Sequence, residues 1–175
     1  PGDYQVNFKL REFIILFIIA ISLIPIQISV EEIVFRGYLM QGFGNWFNSR
    51  FMALFLSSTV FGLLHFSNPE IDALGNKFIA QYVSAGFILG IIALMDDGLE
   101  LSLGLHAAQN LMGVLLLTAD WTVLQTESIL KYTADPELET LDLLVSLSLY
   151  LIVILIFARK YSWTNWKEKL FSKIR

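Results

Sequence analysis

The apolar positions of this chain fall into long runs broken by short polar stretches. Each run is long enough for a helix and too continuous for a half-buried strand. The first extends from Phe13 to Val30. It predicts a helix from about Glu12 to Met40, longer than a hydrocarbon layer of roughly 30 Å requires. Pro25 is expected to kink it, because a mid-helix proline removes a backbone bond. Ser22, Gln27 and Ser29 are expected on its inner face. A turn is read at Gln41–Arg50, with Gly42, Gly44 and Asn45, and with Trp46 suited to the membrane interface.

The pattern then predicts a second helix from Phe51 to Phe66, stopped by Ser67-Asn68-Pro69, and a polar loop over Glu70–Asn76. A third helix runs from Lys77 to Met95. It carries Gly86-Phe87-Ile88-Leu89-Gly90, a spacing that allows close helix approach and that chance explains about as well. Asp96-Asp97-Gly98 reads as a solvated acidic turn. A fourth helix covers Leu99–Thr118. Asp120–Asp142 is acidic and loop-like, with room for a short amphipathic helix around Val123 to Tyr132. A fifth, uncharged helix covers Leu143–Ala158 and is read as facing lipid or packing. The tail from Arg159 to Arg175 is basic and aromatic, and the positive-inside rule places it at the cytoplasmic surface.

Of the 175 residues, 55% are hydrophobic, above the roughly 45–50% of a soluble domain. With the runs above, this predicts an all-α, polytopic membrane helix bundle of about five transmembrane helices around a polar intramembrane cavity. Residues 1–175 are read as a single membrane domain. Its motif core is about 14–118, followed by the acidic loop 119–142, the last helix 143–158 and the interfacial tail 159–175. The net charge of −4 offers no basic footprint for nucleic acid. With no cysteine, disulfides, thiolate catalysis and cysteine metal sites are excluded. The chain opens on Pro1 rather than methionine and is read as a fragment or processed product, with further helices able to precede it.

Against that apolar background, Glu31-Glu32-Ile33-Val34-Phe35-Arg36 stands out. A charge at the centre of a membrane helix costs roughly 2.5–3.5 kcal/mol, so three need partners, a wet cavity or a chemical task. Glu32 and Arg36 are four residues apart and can pair on one face. Glu31 lies about 100° round the helix and is read as the reactive carboxylate, with the pair as its support. One buried ion-pair network fixing helix contacts explains this stretch equally well. Both histidines, His65 and His106, also lie in apolar segments, and His106 shares a face with Asn110. A lone histidine of this kind is more often a satisfied core residue. Two, with an asparagine and a glutamate pair at membrane depth, shift the balance toward function. His65 ends helix two while His106 sits early in helix four. They meet only if the helices are short or tilted, or if the Ser67–Asn76 loop dips inward and opens the site to water.

No hydroxyl or thiol is placed to act as nucleophile. The reading is general-base hydrolysis of a peptide bond: Glu31 takes a proton from water, His65 helps hold that water, and His106 and Asn110 donate to the oxyanion. No cofactor is expected. Glu31, His65 and His106 would be the ligands if zinc were present, a minor reading because His-Glu-x-x-His is absent. The competing class is a non-catalytic membrane subunit or scaffold in a larger complex, keeping these residues as a buried polar network. A proton-coupled transporter is weaker, since no broken-helix pair is visible.

Glu-Glu-x-x-x-Arg, Phe-x-x-x-His and His-x-x-x-Asn, in this order on successive helices, resemble the CPBP family of CAAX prenyl endopeptidases and bacteriocin-processing and immunity proteins (the Abi group), over roughly residues 14–118. The resemblance implies a membrane-embedded peptidase with the same division of labour, Glu32 and Arg36 as structural pair, and a cavity open to one leaflet. It implies the lipid bilayer and a peptide or lipidated peptide as partners. Eukaryotic relatives cut prenylated tails, while bacterial ones process peptides or have lost activity. Nothing in this sequence selects a prenyl group.

Overall fold

A computed structural model describes residues 2–174. Pro1, and Arg175 at the end of the basic tail, lie outside the described residues. The first apolar run forms α1 (Leu10–Glu32), a π-helical segment (Ile33–Leu39) and α2 (Met40–Phe47), one continuous rod of 38 residues. The turn expected at Gln41–Arg50 is therefore confined to Asn48 and Ser49. Asn48 takes the left-handed conformation (φ 50°) that ends α2, and Ser49 Oγ accepts the Met52 N–H at 3.3 Å to start α3 (Arg50–Leu64). Gly44 is not a breaker here. A Cβ on it would stand 2.5 Å from Ile174 Cδ1 and 3.4 Å from Ala53 Cβ, so the glycine serves packing. Ser22 and Ser29 do not turn to a polar interior. Each hydroxyl donates to its own helix, at Ile18 O (2.7 Å) and Pro25 O (2.6 Å).

Pro69, expected to act as a stop, opens a new helix, α4 (Pro69–Leu74), so the loop expected at Glu70–Asn76 is largely helical. Proline suits the first helical turn because its missing N–H would have had no partner there. Gly75, at φ 83°, closes it. A 3-10 turn leads into α5 (Ile79–Asp96), which lies against α3. The two glycines of the Gly86–Gly90 spacing both face that neighbour. A Cβ on Gly86 would come within 2.9 Å of Ser58 O and 3.0 Å of Ser58 Cα, and one on Gly90 within 2.5 Å of Leu54 Cδ1. The spacing thus serves a contact within this chain. Gly86→Val is expected to lower stability by about 1–3 kcal/mol through overpacking, read as a fall in melting temperature in detergent. An unchanged melting temperature contradicts this contact.

After α6 (Glu100–Leu116), the acidic stretch contains no helix at Val123–Tyr132. Instead β1 (Tyr4–Val6), β2 (Leu117–Ala119) and β3 (Leu130–Tyr132) form a small sheet in the order β1-β3-β2, with Tyr4 opposite Tyr132. Hydroxyls compete with helix formation here. Thr126 N–H donates to Thr118 Oγ1 (3.1 Å), Thr126 Oγ1 to Val114 O (2.8 Å), and Ser128 Oγ to Leu130 O (2.7 Å). The β1 partner of β3 also lies at the opposite end of the chain, beyond any local pattern.

α7 (Thr140–Lys160) is mostly exposed, with Ile154 buried. α8 (Trp166–Phe171) folds back onto α3 and α5, burying Leu170 with Met40, Ala53, Leu54 and Met95. The Asp96–Asp97 turn is partnered rather than only solvated. Trp163 Nε1 donates to Asp96 (3.3 Å), and Lys169 Nζ reaches Asp97 Oδ2 and Met95 O, both at 2.7 Å.

Among the described residues, three helices are long and apolar enough to cross a membrane: Leu10–Phe47, Asn76–Asp96 and Thr140–Lys160. α3, with 15 residues, and α6, with 17, are shorter. They reach about 22 and 26 Å against a layer of roughly 30 Å. Large apolar side chains are exposed along α1 and α7, including Ile14, Ile18, Leu23, Leu144, Leu151 and Leu155, as lipid-facing surfaces require. The chain is an all-α membrane helix bundle.

Candidate active site

The two glutamates close α1, and the π segment follows at once. Residues four apart share a face across this junction. Arg36 Nη1 accordingly donates to Glu32 Oε1 at 2.8 Å, with both side chains almost fully buried. Nη2 donates to Gly86 O at 3.1 Å, and the guanidinium lies over the Phe61 ring, 4.7 Å from its centroid. Arg36 thereby ties three helical elements together.

The Glu32–Arg36 pair has a third member in His106. His106 Nδ1 lies 2.8 Å from the same Glu32 Oε1, so one carboxylate oxygen serves both side chains, while Glu32 Oε2 is buried without a protein partner. A carboxylate partner assigns the proton to Nδ1. Nε2 then faces Glu31, 3.8 Å from its Oε2. Glu31 is turned away from the arginine, as its place on the helix predicts, and Gln27 Nε2 donates to its Oε1 at 2.9 Å.

His65 caps α3. Its Nδ1 donates to Phe61 O at 2.7 Å, which leaves Nε2 as an acceptor. Its ring stacks on Tyr82 at 4.4 Å, and Phe61 lies between the two histidines, 4.8 Å from His65 and 5.9 Å from His106. Glu31, His65, His106 and Asn110 all line one cavity of about 490 Å³. The depth mismatch between the histidines is met by the short α3 and by the α4 segment, whose Asn68 and Glu70 line the same cavity. Only Glu31 and His106 closely approach one another. Among the described residues, no three His, Asp or Glu side chains stand close enough to hold a metal ion.

Gln27 is legible in the sequence as a polar residue one turn before Glu31. Glu70 and Tyr82 are not. Glu70 reads as part of a polar loop, and a tyrosine in an apolar helix carries no local signal of its histidine partner.

The class is thus a membrane helix bundle with a polar cavity fed by Glu31 from the first rod, one histidine from the end of α3 and a histidine–asparagine pair from α6. Residues 11–112, more than half of the chain, match the type II CAAX prenyl endopeptidase Rce1-like family, and the chain belongs to it. All seven motif residues fall within that match, while α7 and α8 lie outside it. The chain is also similar to the uncharacterized protein YyaK of Bacillus subtilis (strain 168), with 34% identity over 119 residues, 67% of this chain and 40% of that protein. It matches less than half of that relative's length. No solved structure matches it.

Proposed function

We propose that this chain is a membrane-embedded endopeptidase that hydrolyses a peptide bond with a water activated by Glu31. The observation that carries the reading is the gap between Glu31 Oε2 and His106 Nε2. At 3.8 Å it is too long for a direct hydrogen bond, and one water bonded to both atoms fits beside it. Gln27 holds the other Glu31 oxygen, and Glu32 holds the far side of the His106 ring. The base and its neighbour are therefore oriented before substrate arrives.

In this mechanism the water oxygen attacks the carbonyl carbon as Glu31 takes its proton. Asn110 donates to the developing oxyanion, and His106 Nε2 faces the attacking water. Such donors are commonly worth a few kcal/mol each. When the C–N bond breaks, Glu31 returns the proton to the leaving amine. His65, with Nε2 free to accept, helps hold the water. Glu32 and Arg36 position His106 and the helices.

The substrate is a peptide or lipidated peptide that enters from the bilayer, and no cofactor takes part. The basic tail gathers with Arg50 and the Asp96–Asp97 turn at one end of the bundle, so the positive-inside rule assigns that end to the cytoplasm. The test reconstitutes the chain in liposomes with a peptide library and reads new termini by mass spectrometry. Cleavage by the wild type and not by a folded Glu31→Gln variant supports the reading, and equal cleavage overturns it. A chelator is expected to leave the rate within about twofold, whereas a stripped enzyme restored by zinc would instead assign Glu31, His65 and His106 as ligands.

A non-catalytic subunit of a larger membrane complex is favoured by one observation, the tight Glu32–Arg36–His106 network, which would brace helices without any reaction. It predicts that Glu31→Gln leaves function unchanged.

A further inference from the structure

The far wall of the cavity holds a carboxylate that this mechanism does not use. Glu70, on α4, is 7% exposed. Its Oε1 accepts the Val123 N–H at 2.9 Å, and its Oε2 is buried with no protein donor. A buried carboxylate oxygen left without a donor is unfavourable. Gln81 Oε1, from α5, is a second buried acceptor without a partner, and it belongs to the same wall. Asn68 Nδ2 donates to Tyr82 OH at 3.1 Å, and Tyr82 stacks on His65. That chain of contacts sets the α4 turn beside the histidine.

The charge of the cavity is one-sided. Among the described residues, Glu31 and Glu70 line it, and no lysine or arginine does. A peptide carboxylate would find no cation there. An ammonium group, with three N–H donors and no acceptor, matches an orphan carboxylate oxygen. We propose that Glu70, with Gln81, forms a cation-accepting subsite of this cavity that takes an alkylammonium group of the substrate, either a lysine side chain or a free α-amine. This deepens the peptidase reading and rests on it for the word substrate, but the binding itself does not require that Glu31 be a base.

The test measures binding of dye-labelled, N-acetylated octapeptides to the full chain in lipid nanodiscs by fluorescence anisotropy. The peptides are identical and apolar except for one central lysine, norleucine or glutamate. A fourth carries norleucine and a free N-terminus. Wild type is expected to bind the lysine or the free-amine peptide about tenfold more tightly than acetylated norleucine, and glutamate least. Whichever of the two amines gains identifies the source. Glu31→Gln should keep the preference, which separates the subsite from the base. Glu70→Gln should reduce it to within about twofold. Equal binding of all peptides by wild type overturns the subsite. So does loss of the preference in Glu31→Gln, or its survival in Glu70→Gln. If Glu70→Gln fails to fold, the wild-type and Glu31→Gln measurements still decide. Should Glu31→Gln cleave as wild type does while the preference follows Glu70, the peptidase mechanism fails and the subsite stands.

Discussion

Glu31→Gln is expected to lower peptide cleavage by about 10²–10⁴-fold, the usual contribution of a positioned general base, with little change in melting temperature. The substitution keeps volume and shape. The amide carbonyl it introduces can still accept from Gln27, so the local hydrogen bond at 2.9 Å survives. What disappears is the carboxylate that the proposed mechanism uses to take a proton from water. Glu31 is also the less critical of the two glutamates for folding. Its side chain is 23% exposed to the cavity, whereas that of Glu32 is fully buried. Rates come from single-turnover cleavage in liposomes, and folding from circular dichroism and thermal melting on the same preparation. A variant that melts as wild type and cleaves within about threefold of it would remove Glu31 from the reaction.

Arg36→Met is expected to have the opposite signature, a loss of stability of about 3–5 kcal/mol, because removing one partner leaves the other charge buried and unpaired. Glu32 would keep only His106, and Gly86 O would lose its donor from Arg36. The contact over Phe61 would go as well. Lysine would not rescue fully, since a point charge cannot reach Glu32 and Gly86 O together as a planar fork does. The double variant Glu32→Gln with Arg36→Met should recover much of the loss, because no unpaired charge then remains inside. Unfolding in mixed detergent measures all three. A single-variant loss under about 1 kcal/mol would mean that the pair is not desolvated in the bilayer.

These two residues also show how far local pattern reaches. Glu32 and Arg36 pair because helical spacing requires it, and Glu31 turns away for the same reason. That much is periodicity, legible without a fold. The third member of the network is not. His106 lies 74 positions after Glu32, and its spacing to Asn110 speaks only for a shared face of α6. The same limit explains the elements that local pattern misplaces. Gly44 resembles a breaker until Ile174 is seen packed on it. Pro69 resembles a stop, and only the burial of Glu70 and Ile71 favours its actual role as the opening of the next helix. The β3 strand depends on β1 at the other end of the chain.

The sequence by itself determined that this is a helical membrane protein, where its long spans lie, and which six polar residues are out of place in oil. Those properties follow from hydropathy and from 3.6-residue geometry, both of which act over a few turns. Tertiary structure alone decided that one oxygen of Glu32 is shared by Arg36 and His106, that Gln27 holds Glu31, and that Glu70 faces the same cavity. Those outcomes depend on which turns of distant helices come to rest side by side, and packing between helices, rather than any local preference, sets that.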